Sequence, residues 1–299
     1  MITKGRLLAV VVGLALLVLG SYWLLGWSRL ESYQPGDVGA FQAPFRTMAE
    51  HNQVMRGREW PYILELEAAS GALLYFGSRH TDDPTDPQIA QMAARWDAFS
   101  PTVALTENRL GLFIGTPAMG ISAFGEFAQA AALGRRDDLP VYSLEPTWEV
   151  EVAEMKAAFP VAEVTLFYTL RVFMSERGSE RDRAALDRLA SHLLEKRGSR
   201  PGLEGSLPDL AAFDRLWDER FGDLGPWREL PREACDPSAE PTRLQALAVL
   251  ANEVRDRHAA RVLIDLVSRG ERVFAIAGGS HVVKQEPVLR AALGLSQVD

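Results

Sequence analysis

Short apolar runs separated by longer stretches of helical periodicity set the pattern of this chain. Four runs stand out: Gly71–Phe76, Pro101–Thr106, Leu139–Leu144 and Arg272–Ala277. Each has the length of a buried strand. Helical patterns lie between or after them. Residues 86–99 open with Asp86-Pro87, a capping residue followed by a proline suited to a first turn. Residues 121–133 are small and apolar, and residues 243–268 hold the longest helical pattern, stopped at Gly270. Alternation of this kind predicts an α/β domain over residues 61–299, with a mixed, largely parallel central sheet flanked by helices. Residues 175–240 break the rhythm. An amphipathic charged stretch from Arg181 to Lys196 and a short helix near 209–221 are followed by Pro226, Pro231, Pro237 and Pro241. This segment reads as a helical insertion over the sheet, either a lid or a solvated helical hairpin. Residues 30–60, with Pro35, Gly36 and Pro44 and little periodicity, read as a tether.

Ahead of the tether lies an uncharged run from Leu7 to Ser28. As a helix it spans about 33 Å, enough to cross the hydrocarbon core of a bilayer. Lys4 and Arg6 precede it, which favours a cytoplasmic N-terminus and an exported body. Tyr22, Trp23 and Trp27 cluster at its far end, where aromatic rings suit an interface. A cleaved signal peptide competes with this reading, but the run is long for one and no Ala-x-Ala site follows. The expectation is an N-terminal transmembrane helix over residues 1–29. It implies a single-pass protein of the bacterial envelope, with its body on the extracytoplasmic side.

Composition narrows the class. Hydrophobic residues make up 47% and charged residues 24% of the 299 positions, which excludes a mostly disordered chain and a multi-span transporter. Net charge is −8, and Lys4, Arg6 and Arg29 face no acid within the first 29 residues, so the body carries the whole acidic excess. A nucleic-acid partner is therefore disfavoured. The single cysteine, Cys235, rules out an internal disulfide framework and a Cys-rich zinc site.

The chemistry concentrates at strand ends. His80 and His281 each close a strand–Gly-x-x-His unit, and Glu107 and Glu145 follow two other strands directly. In open α/β sheets, ligands bind outside the carboxyl ends of the strands. If these four strands are parallel and adjacent, His80, Glu107, Glu145 and His281 reach one edge. Two imidazoles and a carboxylate suit a divalent metal such as Mn, Co, Zn or Fe, which would acidify a bound water. Without a metal, one His would act as general base on water while Glu107 orients it. Arg255 would stabilise an oxyanion in either case. Plainer roles stand beside these. Glu107 has Arg109 nearby in sequence, Glu145 precedes Pro146 as a helix cap would, and Arg255 lies in a charged helix face. Asp82, Asp83 and Asp86 lack EF-hand spacing and read as turn and cap residues.

Four segments resemble the TraB/GumN family, which includes the Tiki proteases, within the erythromycin-esterase/ChaN-like superfamily. They are Phe76-Gly-Ser-Arg-His80, Val103-Ala-Leu-Thr-Glu107, Pro140-Val-Tyr-Ser-Leu-Glu145, and Val254-Arg-Asp through Val273-Phe-Ala-Ile-Ala-Gly-Gly-Ser-His281. The resemblance covers roughly residues 70–165 and 240–295. It implies a metal-dependent hydrolase of peptides or esters, with His80, Glu107 and His281 as the metal-binding or water-activating set. It also implies Arg255 as an accessory cation and Glu145 as a further site residue. ChaN-like relatives bind haem, so a haem or small-ligand binding protein is the alternative, and a non-catalytic interaction protein a third. Arg79, Asp256 and Val282-Val283-Lys284 depart from the family pattern.

Overall fold

The computed structural model describes residues 11–14, 26–235 and 241–297. Seven strands follow in chain order: β1 (Gly26–Trp27), β2 (Tyr62–Glu67), β3 (Ala72–Ser78), β4 (Val103–Thr106), β5 (Phe113–Ile114), β6 (Val141–Ser143) and β7 (Arg272–Gly278). Five of them form one sheet in the order β2-β3-β7-β4-β6. The four strands expected from the apolar runs are all present and mutually parallel, and β2 adds an antiparallel edge. Register aligns their carboxyl ends, with Ser78 opposite Gly278 and Thr106 opposite Ile276 and Ser143.

The chain divides into two compact units, one of Met1–Glu145 with His258–Asp299 and one of Pro146–Arg257. The second is wider than the expected 175–240 insertion, because the apolar helix Val161–Glu176 belongs with it. Its core is helical and aromatic, built on Phe167, Phe173, Phe213, Trp217 and Phe221. Glu163 is buried there and accepts two bonds from Arg243, at 2.7 and 2.9 Å. In the first unit, helices cover both faces of the sheet. Leu73, Tyr75, Val273 and Ala275 face the core that includes Val262, Leu263 and Leu289. Leu74, Phe76, Phe274 and Ile276 face the core that includes Met92, Trp96 and Phe127. That alternation is the two-residue period of a pleated strand buried on both sides.

Two expectations about the N-terminal region, the interfacial place of Trp27 and the tether over residues 30–60, are corrected. Most of the candidate span Leu7–Ser28, with Tyr22 and Trp23, lies outside the described residues, and among those described no helix is long and apolar enough to cross a membrane. Its far end departs from the interfacial role expected of Trp27. Gly26 and Trp27 pair antiparallel with Ile114 and Phe113, and the Trp27 indole is buried, donating to the Gly111 carbonyl at 3.1 Å. Nor are residues 30–60 a bare tether. Leu30 is buried, Ser32 bridges Ser143, the Tyr33 hydroxyl donates to Asp265, and Met48–Val54 is a helix with a complete Thr47/Glu50 capping box.

His258 is buried, and its Nε2 has no hydrogen-bond partner. Burial pushes its pKa down to about 4, with a backbone hydrogen bond at Tyr33 opposing the shift. The unfolded chain therefore binds a proton that the folded chain refuses between about pH 6.5 and 4. Stability from this group is full above that window and falls as pH drops through it, by about 3 kcal/mol in total. A His258→Gln variant is expected to show a flatter urea-midpoint profile across the window. Parallel profiles for variant and parent would contradict this assignment.

Candidate functional site

Each site residue is held by the strand that precedes it. The backbone of Glu107 donates to the Ile276 carbonyl at 2.9 Å, continuing the β4–β7 ladder past the end of β4. Arg79, just before His80, is clamped through its backbone by Gln88, which accepts at 3.2 Å and donates at 2.6 Å. His281 sits in the first turn of the helix Gly279–Ala292, which begins directly after β7. Because β7 lies between β3 and β4, the two histidines and Glu107 are delivered to one end of the sheet.

Gly278 is the point of convergence. Its N–H donates to Glu107 Oε2 at 2.7 Å. A Cβ at this position would stand 3.1 Å from His80 Cε1, 3.2 Å from His80 Nε2 and 3.4 Å from Glu107 Oε2. Glycine is thus what lets an imidazole and a carboxylate close over the strand end. On the other side, Glu107 Oε1 lies 3.6 Å from His281 Nε2. His80, Glu107 and His281 therefore form one cluster, as their strand-end positions suggest.

A fourth member was not singled out from the sequence. Glu126 is almost wholly buried and accepts from Ser78 Oγ at 2.7 Å and from the Thr81 N–H at 3.0 Å, while its Oε1 lies 2.9 Å from His80 Nδ1. That contact raises the His80 pKa against the opposing pull of burial, with Glu107 adding to the rise and His281 opposing it. With Nδ1 taken by Glu126, Nε2 is the nitrogen turned toward Gly278. The sequence held little signal for Glu126. It is a lone acid between Gly125 and an apolar stretch, and only the left-handed turn at Gly125, φ +78°, turns the chain back so that its N–H meets the Thr81 carbonyl. Replacing Glu126 with alanine would strand Ser78 and the Thr81 amide, at an expected cost of about 1–3 kcal/mol, read from the urea midpoint. Glu126→Gln keeps an acceptor oxygen and is expected to lose less.

Of the other sequence-derived candidates, Glu145 follows β6 in the first unit and Arg255 lies in the second. Glu145 Oε2 lies 3.6 Å from Arg109 Nη2, and the Glu145 backbone is held by Ser143 Oγ. Arg109 thus has Glu145 as an ion-pair partner. Arg255 belongs to the second unit, on the helix Arg243–Ser268, where its charge acts on the buried Tyr168 that donates to Glu151 at 2.8 Å. Asp86 caps the helix Pro87–Phe99 and Asp83 holds the turn at Thr85, the turn and cap roles their spacing suggested.

Donor types in the cluster suit a divalent ion. His80 is braced at Nδ1 by a carboxylate, the arrangement that orients many metal-bound imidazoles. Among the described residues, however, no group of three or more His, Cys, Asp or Glu side chains is spaced to hold an ion. No family model, no curated protein and no solved structure matches this chain.

Proposed function

We propose that this chain is an exported, membrane-anchored hydrolase of amides or esters, of the TraB/GumN kind. Its reaction centre is His80, Glu107 and His281. The observation that carries the reading is their convergence on Gly278 from three separate strands. Glu126 fixes the His80 ring and favours the imidazolium, so Nε2 takes a proton from water as the nucleophile forms. Glu107, anchored by the Gly278 N–H, orients that water and balances the positive charge arising on either imidazole. Protonated His80 then returns the proton to the leaving amine or alcohol, completing addition of water across the scissile bond.

A divalent metal, where one binds, would be held by His80, Glu107 and His281 and would supply an acidified water and a polarised carbonyl. The test is hydrolysis of a panel of aryl esters and quenched-fluorescence peptides by purified protein. The protein is assayed after chelation and again after addition of Mn, Co, Zn or Fe. Turnover that is lost on chelation and restored by one of these ions supports the metal-dependent form, and turnover indifferent to chelation supports the metal-free form. Absence of hydrolysis under every condition overturns the proposal.

A further inference from the structure

Among the described residues, eight large hydrophobic side chains are exposed, and six of them fall in two segments. Val11, Val12 and Leu14 lie within the uncharged N-terminal run. Leu112, Ile114 and Met119, at 62%, 46% and 58% exposure, lie just before β5, on β5 and on the helix Pro117–Phe124. The chain joins these segments physically. Gly26, at the end of the N-terminal run, pairs with Ile114, and Trp27 pairs with Phe113. The pairing is close, since a Cβ on Gly26 would stand 2.2 Å from the Phe113 carbonyl oxygen. Around it the Trp27 ring packs on Phe113 at 4.6 Å and Phe124 at 6.0 Å, and the Leu30 N–H donates to the Leu110 carbonyl at 2.9 Å. Leu112 and Ile114 therefore flank the point where the N-terminal run enters the fold.

Apolar side chains clustered on an otherwise acidic body mark a surface with a partner. We infer that Leu112, Ile114 and Met119 form a lipid-contacting surface that dips into the bilayer interface beside the N-terminal run. The bilayer is favoured over a protein partner by continuity: a run able to cross the hydrocarbon core ends in backbone pairing with Ile114 itself. Arg29, exposed two residues after Trp27, supplies a cation at headgroup level. The inference deepens the membrane-anchored reading above and rests on it. It also bears on substrate access. The helix carrying Met119 ends at Gly125, next to Glu126, so the lipid-facing surface and the carboxylate that holds His80 share one short stretch of chain.

The test uses the full chain, reconstituted into vesicles of phosphatidylethanolamine and phosphatidylglycerol. In a Cys235→Ser background, a bimane label is placed through Val12→Cys, Leu112→Cys, Met119→Cys or Glu67→Cys. Glu67 is exposed at the far end of β2 and serves as the reference. A shallow doxyl-lipid quencher is expected to remove at least about half of the emission at positions 112 and 119, and little at 67. Quenching at 12 without quenching at 112 and 119 overturns the inference and leaves the anchor standing. Absence of quenching at 12, 112 and 119 overturns both. Labels at 112 and 119 shielded from aqueous iodide but untouched by the doxyl lipid would indicate a second copy or another protein on this face, and would equally overturn it.

Discussion

Replacing His80 with alanine is expected to lower kcat by about 10²–10⁴-fold, the range for loss of a positioned general base. The ring is the side chain that bridges the buried carboxylate of Glu126 and the Gly278 end of β7. Because proton transfer is used only in the transition state, kcat and kcat/KM are expected to fall together while KM holds. The fold should survive, since His80 is largely exposed and leaves no cavity in the core. His281→Ala is expected to act in the same direction, and combining the two should cost less than the product of the single losses, as for residues that act as one unit. Steady-state kinetics on the most reactive substrate of the panel reads all three quantities. Full activity in His80→Ala would remove the imidazole from the mechanism.

The largest expected loss of stability is at Phe274. It lies at the middle of β7, the central strand, is fully buried, and packs its ring against Trp96 at a centroid separation of 5.0 Å. Phe274→Ala removes an aromatic ring from a site closed by strands on both sides, so little relaxation can fill the cavity. The expected cost is about 3–5 kcal/mol. Urea unfolding followed through near-ultraviolet dichroism should show a lower midpoint with an unchanged slope for the first unit. A loss below about 1 kcal/mol would mean that the cavity collapses, contrary to the packing described.

Strands buried on both faces were legible because their signal is local. An apolar run such as Val103–Thr106, bounded by polar residues, needs no partner to be recognised. The strand-end placement of His80, Glu107 and His281 followed from the same runs together with the rule for parallel sheets. The edge strand β2 was legible in principle: Tyr62, Leu64 and Leu66 alternate with Ile63, Glu65 and Glu67, and the first three are buried. Its signal is weak because an aperiodic stretch precedes it and only one of its faces is buried. β1 and β5, two residues each, carry too little periodicity for any pattern to register. Trp27 was misread for a related reason. An aromatic residue at the end of an apolar run looks the same in sequence whether lipid or protein covers it. Glu126 is the plainest case of missing information. Its partners, Ser78 and His80, lie more than forty positions away, and nothing local distinguishes a buried acceptor from a surface acid.

Strand order has a consequence for how this molecule is made. The middle place in the sheet, between β3 and β4, is filled by residues 272–278, which leave the ribosome only after the whole of Pro146–Arg257 has been synthesised. Until then two ribbons of paired-ready backbone wait with a gap between them, and at ordinary elongation rates that delay is roughly 10–30 s. The first unit can therefore close only at the end of translation, and a product cut short ahead of Arg272 would lack both its central ribbon and His281, one of the two imidazoles of the cluster. Such a nascent chain has every reason to stay unfolded and chaperone-bound for as long as it is being made.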